Sequence, residues 1–353
     1  MMSQSPRTPQ AATGSDWPTL LCDNSRTGGQ GIRATHAPIR ARWQIRVGRS
    51  VRSAPVLHRG ILYVTSVDGG LHAINVESGK VSWKFQAGGQ IHSTPSMSGD
   101  KIFFGCDDGK VYAVDHASGN KLWEATTFGD IWPSPAVRSG SVFFGSADGN
   151  MYAVTADTGN TRWKRNLAGR ICSSAYVREK QLYVGSGDGK VYCLDTQSGQ
   201  IIWSTSTENG IDSSPAVAEE MVLIGSEDFF VYALDATTGA VRWKYETGLG
   251  IASSPAVLGD VVAIGSKDGY LYALELRSGQ LRWKAQAGEV VTAPPAFGDG
   301  VVCIQGWGTM AFDINSGKLI WRAGVGGSVQ SAPVLTGKAM YVASLDGIVY
   351  ALE

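Results

Sequence analysis

The sequence predicts an all-β protein, an eight-bladed β-propeller of four-stranded antiparallel blades, and three observations predict it. The first is tryptophan: Trp43, Trp83, Trp123, Trp163, Trp203, Trp243 and Trp283 are spaced by 40 residues, and Trp321 follows after 38. The second is proline in the same phase, at Pro55, Pro95, Pro135, Pro215, Pro255, Pro295 and Pro333, with Ala175 the exception. The third is a pair of glycine dipeptides at that period: Asp-Gly from Asp68-Gly69 to Asp346-Gly347, and Ser-Gly or Thr-Gly from Ser78-Gly79 to Ser316-Gly317. A fixed period near 40 residues is the mark of a repeat architecture, and it overrides the two or three domains that a chain of this length would otherwise suggest.

Each unit reads as four short strands. In residues 90–125, IHSTPSM (91–97) is a first strand, A, and KIFFGC (101–106) a second, B. Asp108-Gly109 makes a two-residue turn that tolerates positive φ. KVYAVD (110–115) is the third strand, C, and after the loop HASGN comes KLWEAT (121–126), the outer strand D. The strands are rich in Val, Ile, Tyr, Phe and Trp, and no window carries a helical period. Repeated four-strand units of this size are propeller blades. The eighth unit ends at Glu353 after its third strand, and Ala41–Val47, with Trp43 in phase, supplies the fourth. Closing the ring in this way removes an open sheet edge. The expected organisation is a polar tail over 1–15, a lead-in over 16–40 and one propeller over 41–353.

The eight periodic tryptophans are expected to be structural, each ring packing on the neighbouring blade and burying on the order of 200 Å². Gly105, Gly145, Gly185, Gly225 and Gly265, at the ends of the B strands, are expected to leave room for a close neighbour.

Composition excludes several classes. Apolar residues make up 43% of the chain, too many for disorder. No uncharged apolar run reaches the ~18 residues of a membrane helix. Lys plus Arg and Asp plus Glu are 31 each, which argues against a nucleic-acid binder. The 45 glycines show no collagen period, and suit tight turns instead. The balance hides an asymmetry: residues 1–60 hold nine arginines, no lysine and two acids, leaving the remainder acidic by the same margin. The cysteines, Cys22, Cys106, Cys172, Cys193 and Cys303, are odd in number with no CxxC pair, so no zinc site is expected. Cys193 and Cys303 stand where other repeats carry alanine and suit buried thiols. With no apolar segment after Met1, a reducing cytoplasm is the expected location.

At residues 213–243, SSPAVAEEMVLIGSEDFFVYALDATTGAVRW, the unit resembles the PQQ-like β-propeller repeat. This resemblance extends over roughly residues 40–353, and Trp17-Pro18, Asp23 and Arg26-Thr27-Gly28 look like the lead-in found before such propellers. The family includes quinoprotein alcohol and glucose dehydrogenases and the BamB lipoproteins of outer-membrane assembly. The resemblance implies an eight-bladed ring with tryptophan docking. Its dehydrogenases hold the quinone against a vicinal disulfide, beside a calcium ion bound by Glu, Asn and Asp. This chain has no Cys-Cys pair and nearly minimal blades. Neither PQQ nor Ca²⁺ is expected as a cofactor, and no catalytic residue is assigned.

Where the repeats depart from one another, they point to a site. The position three before the recurrent proline is Arg52, His92, Trp132, Cys172, Asp212, Ala252, Thr292 and Gln330 around the ring, always preceded by Val or Ile. The constant aliphatic should pack between blades and the variable residue should face the channel mouth, where the D–A and B–C loops emerge. The residue before the Asp-Gly turn varies too, including Asp107, Glu227 and Lys267, with Trp307 at the matching place in the seventh unit. No sequence neighbour guarantees His92 a carboxylate, and Cys172 has no evident activating group. Phe229-Phe230 replaces the turn glycine of the fifth unit, and either projects as an apolar tip or packs locally. Arg40, Arg42 and Arg46 alternate with Ala41, Trp43 and Ile45 and should share the outward face of the closing strand; they protect an edge or form a docking patch.

These features point to a monomeric, non-enzymatic scaffold that grips a protein or peptide partner on its channel-mouth face. The alternatives are a quinone or small-molecule binder with redox activity in the funnel, and a sensor module working with a separate enzyme.

Overall fold

The computed structural model describes residues 40–298, 300–324 and 328–353. The expected tail, Trp17, Cys22 and the lead-in up to residue 39 lie outside the described residues. The described chain forms eight sheets of four antiparallel strands. Blades 1 to 8 begin at the innermost strands Val56–His58, Ser96–Ser98, Ala136–Arg138, Tyr176–Arg178, Ala216–Ala218, Ala256–Leu258, Ala296–Gly298 and Val334–Leu335. In the last blade the outer strand is Ala41–Arg46, paired antiparallel with Ile348–Leu352, so the two ends of the described chain close the ring. Among the described residues no helix is long and apolar enough to cross a membrane.

The innermost strand is shorter than its sequence suggests. Blade 2 has Ser96–Ser98 in place of 91–97. Pro95 has no N–H for a ladder, and the residues before it bond through hydroxyls. Ser93 Oγ accepts from Gly105 N at 2.8 Å and donates to Gly105 O at 2.9 Å. The next residue joins blade to blade. Ala54 N donates to Thr94 Oγ1, Thr94 N to Ser134 Oγ, and the relay continues through Ser174 and Ser214 to Ser254, each bond 2.8–3.0 Å long. These side chains are buried, so the relay satisfies backbone groups that no strand pairs. Blade 7 puts Pro294 at this place, and Ala54 and Ala332 meet as a small apolar contact.

The outer strands dock the ring together. In seven blades the indole N–H reaches a carbonyl of the next blade, from Trp43 to Val76 O at 2.7 Å through Trp283 to Ile314 O at 2.9 Å. Trp321 is buried as well. The Thr-Gly or Ser-Gly glycine of the following blade covers each of these seven rings. At Gly239 (φ +75°) a β-carbon would lie 2.6 Å from the Trp203 ring. In every blade the residue just before this tryptophan drops out of the ladder as a bulge. The bulge at Arg42 breaks the simple alternation, and Ala41 is exposed with Arg40, Arg42 and Arg46. Arg42 bonds Glu77 of blade 1 and lies 3.3 Å from Glu353, while Arg46 donates to the carbonyl of Asp346. Two of the three arginines therefore stitch the seam.

The B-strand glycines pack as expected. A β-carbon on Gly185 would lie 2.3 Å from Ile211, the constant aliphatic of the next blade, and that aliphatic side chain is fully buried. The Cys193 and Cys303 thiols are buried between strands.

Candidate functional site

The two variable sets meet on one face. In blade after blade the residue before the turn donates its N–H to the D–A loop leading into the same blade: Val67 to Ser50 O, Asp107 to Gln90 O, Ala147 to Asp130 O, Gly187 to Arg170 O, Glu227 to Gly210 O, Lys267 to Gly250 O and Leu345 to Ser328 O, at 2.7–3.1 Å. The turns themselves are fixed by a tyrosine–aspartate clasp. Tyr112, Tyr152, Tyr192, Tyr232 and Tyr272 donate to the turn aspartate four residues earlier, at 2.5–2.7 Å. Asp228 and Asp268 also accept a backbone N–H from the preceding blade, Glu208 N at 2.9 Å and Gly248 N at 2.8 Å. The variable side chains thus stand on a belt of hydrogen-bonded loops around the channel mouth.

Charged candidates on this face are largely matched across the blades. His92 Nε2 lies 3.3 Å from Asp107 Oδ2, so the fold supplies the carboxylate that no sequence neighbour guaranteed. Burial pushes the Asp107 carboxyl up, and Asp130 adds to this, while His92 and the Trp132 indole oppose it. Asp212 and Glu227, drawn together in blade 5, are each met by a neighbouring cation. Arg170 lies 3.6 Å from Asp212, and Lys267 Nζ lies 2.6 and 2.8 Å from the two Glu227 oxygens. Burial pushes the Cys172 thiol up to about 12, with Asp212 adding to the effect, so it is a thiol and not a nucleophilic thiolate at neutral pH. Exposed pairs of this kind contribute only about 0–1 kcal/mol each; they set the positions of side chains more than the stability.

Arg52 and Gln330 are exposed beside one another's blades at the seam, and Trp132 is half-buried in blade 3. Trp307 stands at the tip of a shortened turn between Gly306 and Gly308, exposed, its N–H donated to Ala287 O at 2.8 Å. Phe229 and Phe230 divide the two readings between them. Phe230 packs on Tyr232 with Lys244 Nζ 4.2 Å from its ring centroid. Phe229 projects, and it does so at φ +79°. The same turn position is glycine in blades 1, 2, 3, 4, 6 and 8, at φ +75° to +88°. A side chain in this left-handed region costs roughly 1–2 kcal/mol, so blade 5 keeps the turn under strain.

Sequence comparison between blades missed Asp130, Arg170, Phe128, Leu249 and Val290. They lie in the D–A loops two to four residues before the variable position, and the same comparison applied there would have found them.

The sequence profile of the family described as outer membrane protein assembly factor BamB matches residues 27–171 and 147–353. The chain belongs to that family. No curated protein matches it in sequence. Among solved structures, this BamB-family propeller is similar to BamB from Moraxella catarrhalis, at 19% identity and TM-score 0.78, over 89% of this chain and 99% of that one. It is also similar to the quinohemoprotein alcohol dehydrogenase from Comamonas testosteroni, at 16% identity and TM-score 0.85, over 97% of this chain and 81% of that one. A third is the computationally designed Ika8 protein, at 19% identity and TM-score 0.77, over 86% and 96%. At these identities the likeness is one of fold.

The dehydrogenase neighbours raise the question of a quinone and its metal. The donor set here does not fit. Among the described residues no three His, Cys, Asp or Glu side chains converge as a cation site. The mouth carboxylates Asp107, Asp212 and Glu227 already face His92, Arg170 and Lys267. No chemical step is derived through such a group.

Proposed function

We propose that this BamB-family propeller is a non-enzymatic interaction scaffold that holds a protein or peptide partner on its channel-mouth face. The supporting observation is the contrast between a repeated frame and a non-repeated rim. The clasps, relay and docked tryptophans recur blade by blade, whereas the rim carries Arg52, His92, Trp132, Asp212, Trp307 and Gln330 in fixed places. Rigid loops presenting aromatics and arginine are the usual anchors of protein interfaces. The free thiols of Cys106, Cys172, Cys193 and Cys303 support a reducing compartment. The quinone-binding alternative has the fold likeness behind it and the donor set against it.

The test is affinity capture from the native cell with a triple variant, Arg52→Ala, Trp132→Ala and Trp307→Ala. These residues are exposed or half-buried, so the thermal midpoint should stay close to that of the parent. Captured partner should fall at least tenfold. Undiminished capture by a folded triple variant overturns this function.

A further inference from the structure

We propose that Phe229, Leu249, Val290 and Trp307, on the mouth face of blades 5 to 7, seat a short peptide segment whose apolar side chains are flanked by lysine or arginine. This rests on the docking function of that face and narrows it to one sector and one partner chemistry.

Successive loops tie the four residues together. Phe229 O accepts from Thr247 N and Oγ1, both at 2.8 Å, and Leu249 O accepts from Ser266 Oγ at 3.1 Å. Ala287 N then donates to Gly269 O at 2.9 Å, and Ala287 O accepts from Trp307 N at 2.8 Å. Their side chains are 41–57% exposed. At the Leu249 and Val290 positions every other repeat carries glycine or a polar residue. An apolar arc of this kind on a face otherwise lined by glycine and charge marks a contact surface.

The backbone of Phe229 is an independent sign. Its left-handed conformation suits glycine, and its exposed phenyl finds no place in a core cluster that would offset the strain. Strain of this sort concentrates where a side chain serves binding. Charge then selects the partner. Glu208, Glu246 and Glu289 are exposed around the arc, and among the described residues none has an ion-pair partner. Nearby cations are engaged: Lys267 with Glu227, Lys244 over the Phe230 ring, and Lys284 over the Tyr270 ring. Unpaired acids around apolar anchors complement a segment with apolar residues inside and basic residues outside.

The test is fluorescence polarisation on the full chain with a labelled heptapeptide, Lys-Lys-Leu-Phe-Leu-Lys-Lys. Two controls carry Glu in place of Lys, or Ser in place of the apolar residues. The lysine peptide should bind, and each control should bind at least tenfold more weakly. Phe229→Gly and Trp307→Ala should each weaken binding at least tenfold. Phe229→Gly relieves strain, so its denaturation midpoint should equal or exceed the parent's, and its lost binding would not come from unfolding. Absence of binding, equal binding of the lysine and glutamate peptides, or full binding by Phe229→Gly each overturns this inference. If Phe229→Gly binds fully while an Arg52→Ala, Trp132→Ala variant does not, the face still docks partners and only the sector is wrong. If the triple variant also captures its partner undiminished, the docking function itself falls.

Discussion

Replacing Trp203 with alanine is expected to lower the free energy of unfolding by about 3–5 kcal/mol. The ring is buried in the cluster between blades 4 and 5, tilted on Tyr183 at a centroid distance of 5.9 Å and covered by Gly239. Its N–H donates to Ala236 O at 3.0 Å, a carbonyl that Tyr183 Oη also reaches at 3.2 Å. Alanine leaves a cavity on the scale of an indole and removes one of the two donors. Trp203→Phe should cost much less, because it retains most of the buried area and loses mainly one hydrogen bond, about 1 kcal/mol, plus part of the packing. Trp307→Ala, on the exposed turn, should stay within about 0.5 kcal/mol of the parent. Urea titrations of the three variants check the order. A Trp203→Ala cost as small as that of Trp307→Ala would mean that the periodic tryptophans do not dock the blades.

Acidification should destabilise the protein through His72, by about 3 kcal/mol between pH 7 and pH 4. His72 stands where Tyr112, Tyr152, Tyr192, Tyr232 and Tyr272 form the clasps, but it is buried with Nε2 unbonded. Burial, helped by Lys84, holds its pKa down to about 4 from 6.5, with Asp68 opposing. The folded state therefore resists a proton that the unfolded chain accepts. The contribution is fully present above about pH 6.5 and is lost as pH falls toward 4. His72→Tyr restores the residue used in five other blades, and its hydroxyl should bond Asp68. The stability gap between His72→Tyr and the parent should widen by about 3 kcal/mol from pH 7 to pH 4 in denaturant titrations. A gap that does not change with pH would show that His72 titrates as an exposed histidine.

Much of the ring was legible because its physics repeats with its residues. One docked tryptophan, one glycine over it and one turn aspartate recur at a fixed period, so each blade corroborates the next, and Trp43 in phase announced the closing strand. The inner strand was read too long because apolar alternation continues through Ile91, Ser93 and Pro95 although no ladder does; the hydroxyl relay that replaces the ladder joins residues 40 apart, beyond any local pattern. The face was legible as variable positions, but its pairing was not. His92 with Asp107, Arg170 with Asp212 and Lys267 with Glu227 join loops separated by 15, 42 and 40 residues, and only the ring geometry brings them within reach. Phe229 was visible as a departure from glycine, while its strain and its separation from Phe230 depend on the turn that the backbone retains.

The central claim, that partners dock on the channel mouth, is tested most directly by site-specific photo-crosslinking in the native cell. A photoreactive residue is placed singly at Arg52, Trp132 and Trp307 on that face, and at Ala117, Gln197 and Thr237 in the exposed C–D loops of the opposite face. The expected result is one and the same protein adduct from the mouth positions and none of it from the C–D loops. Adducts from the C–D loops alone would contradict it.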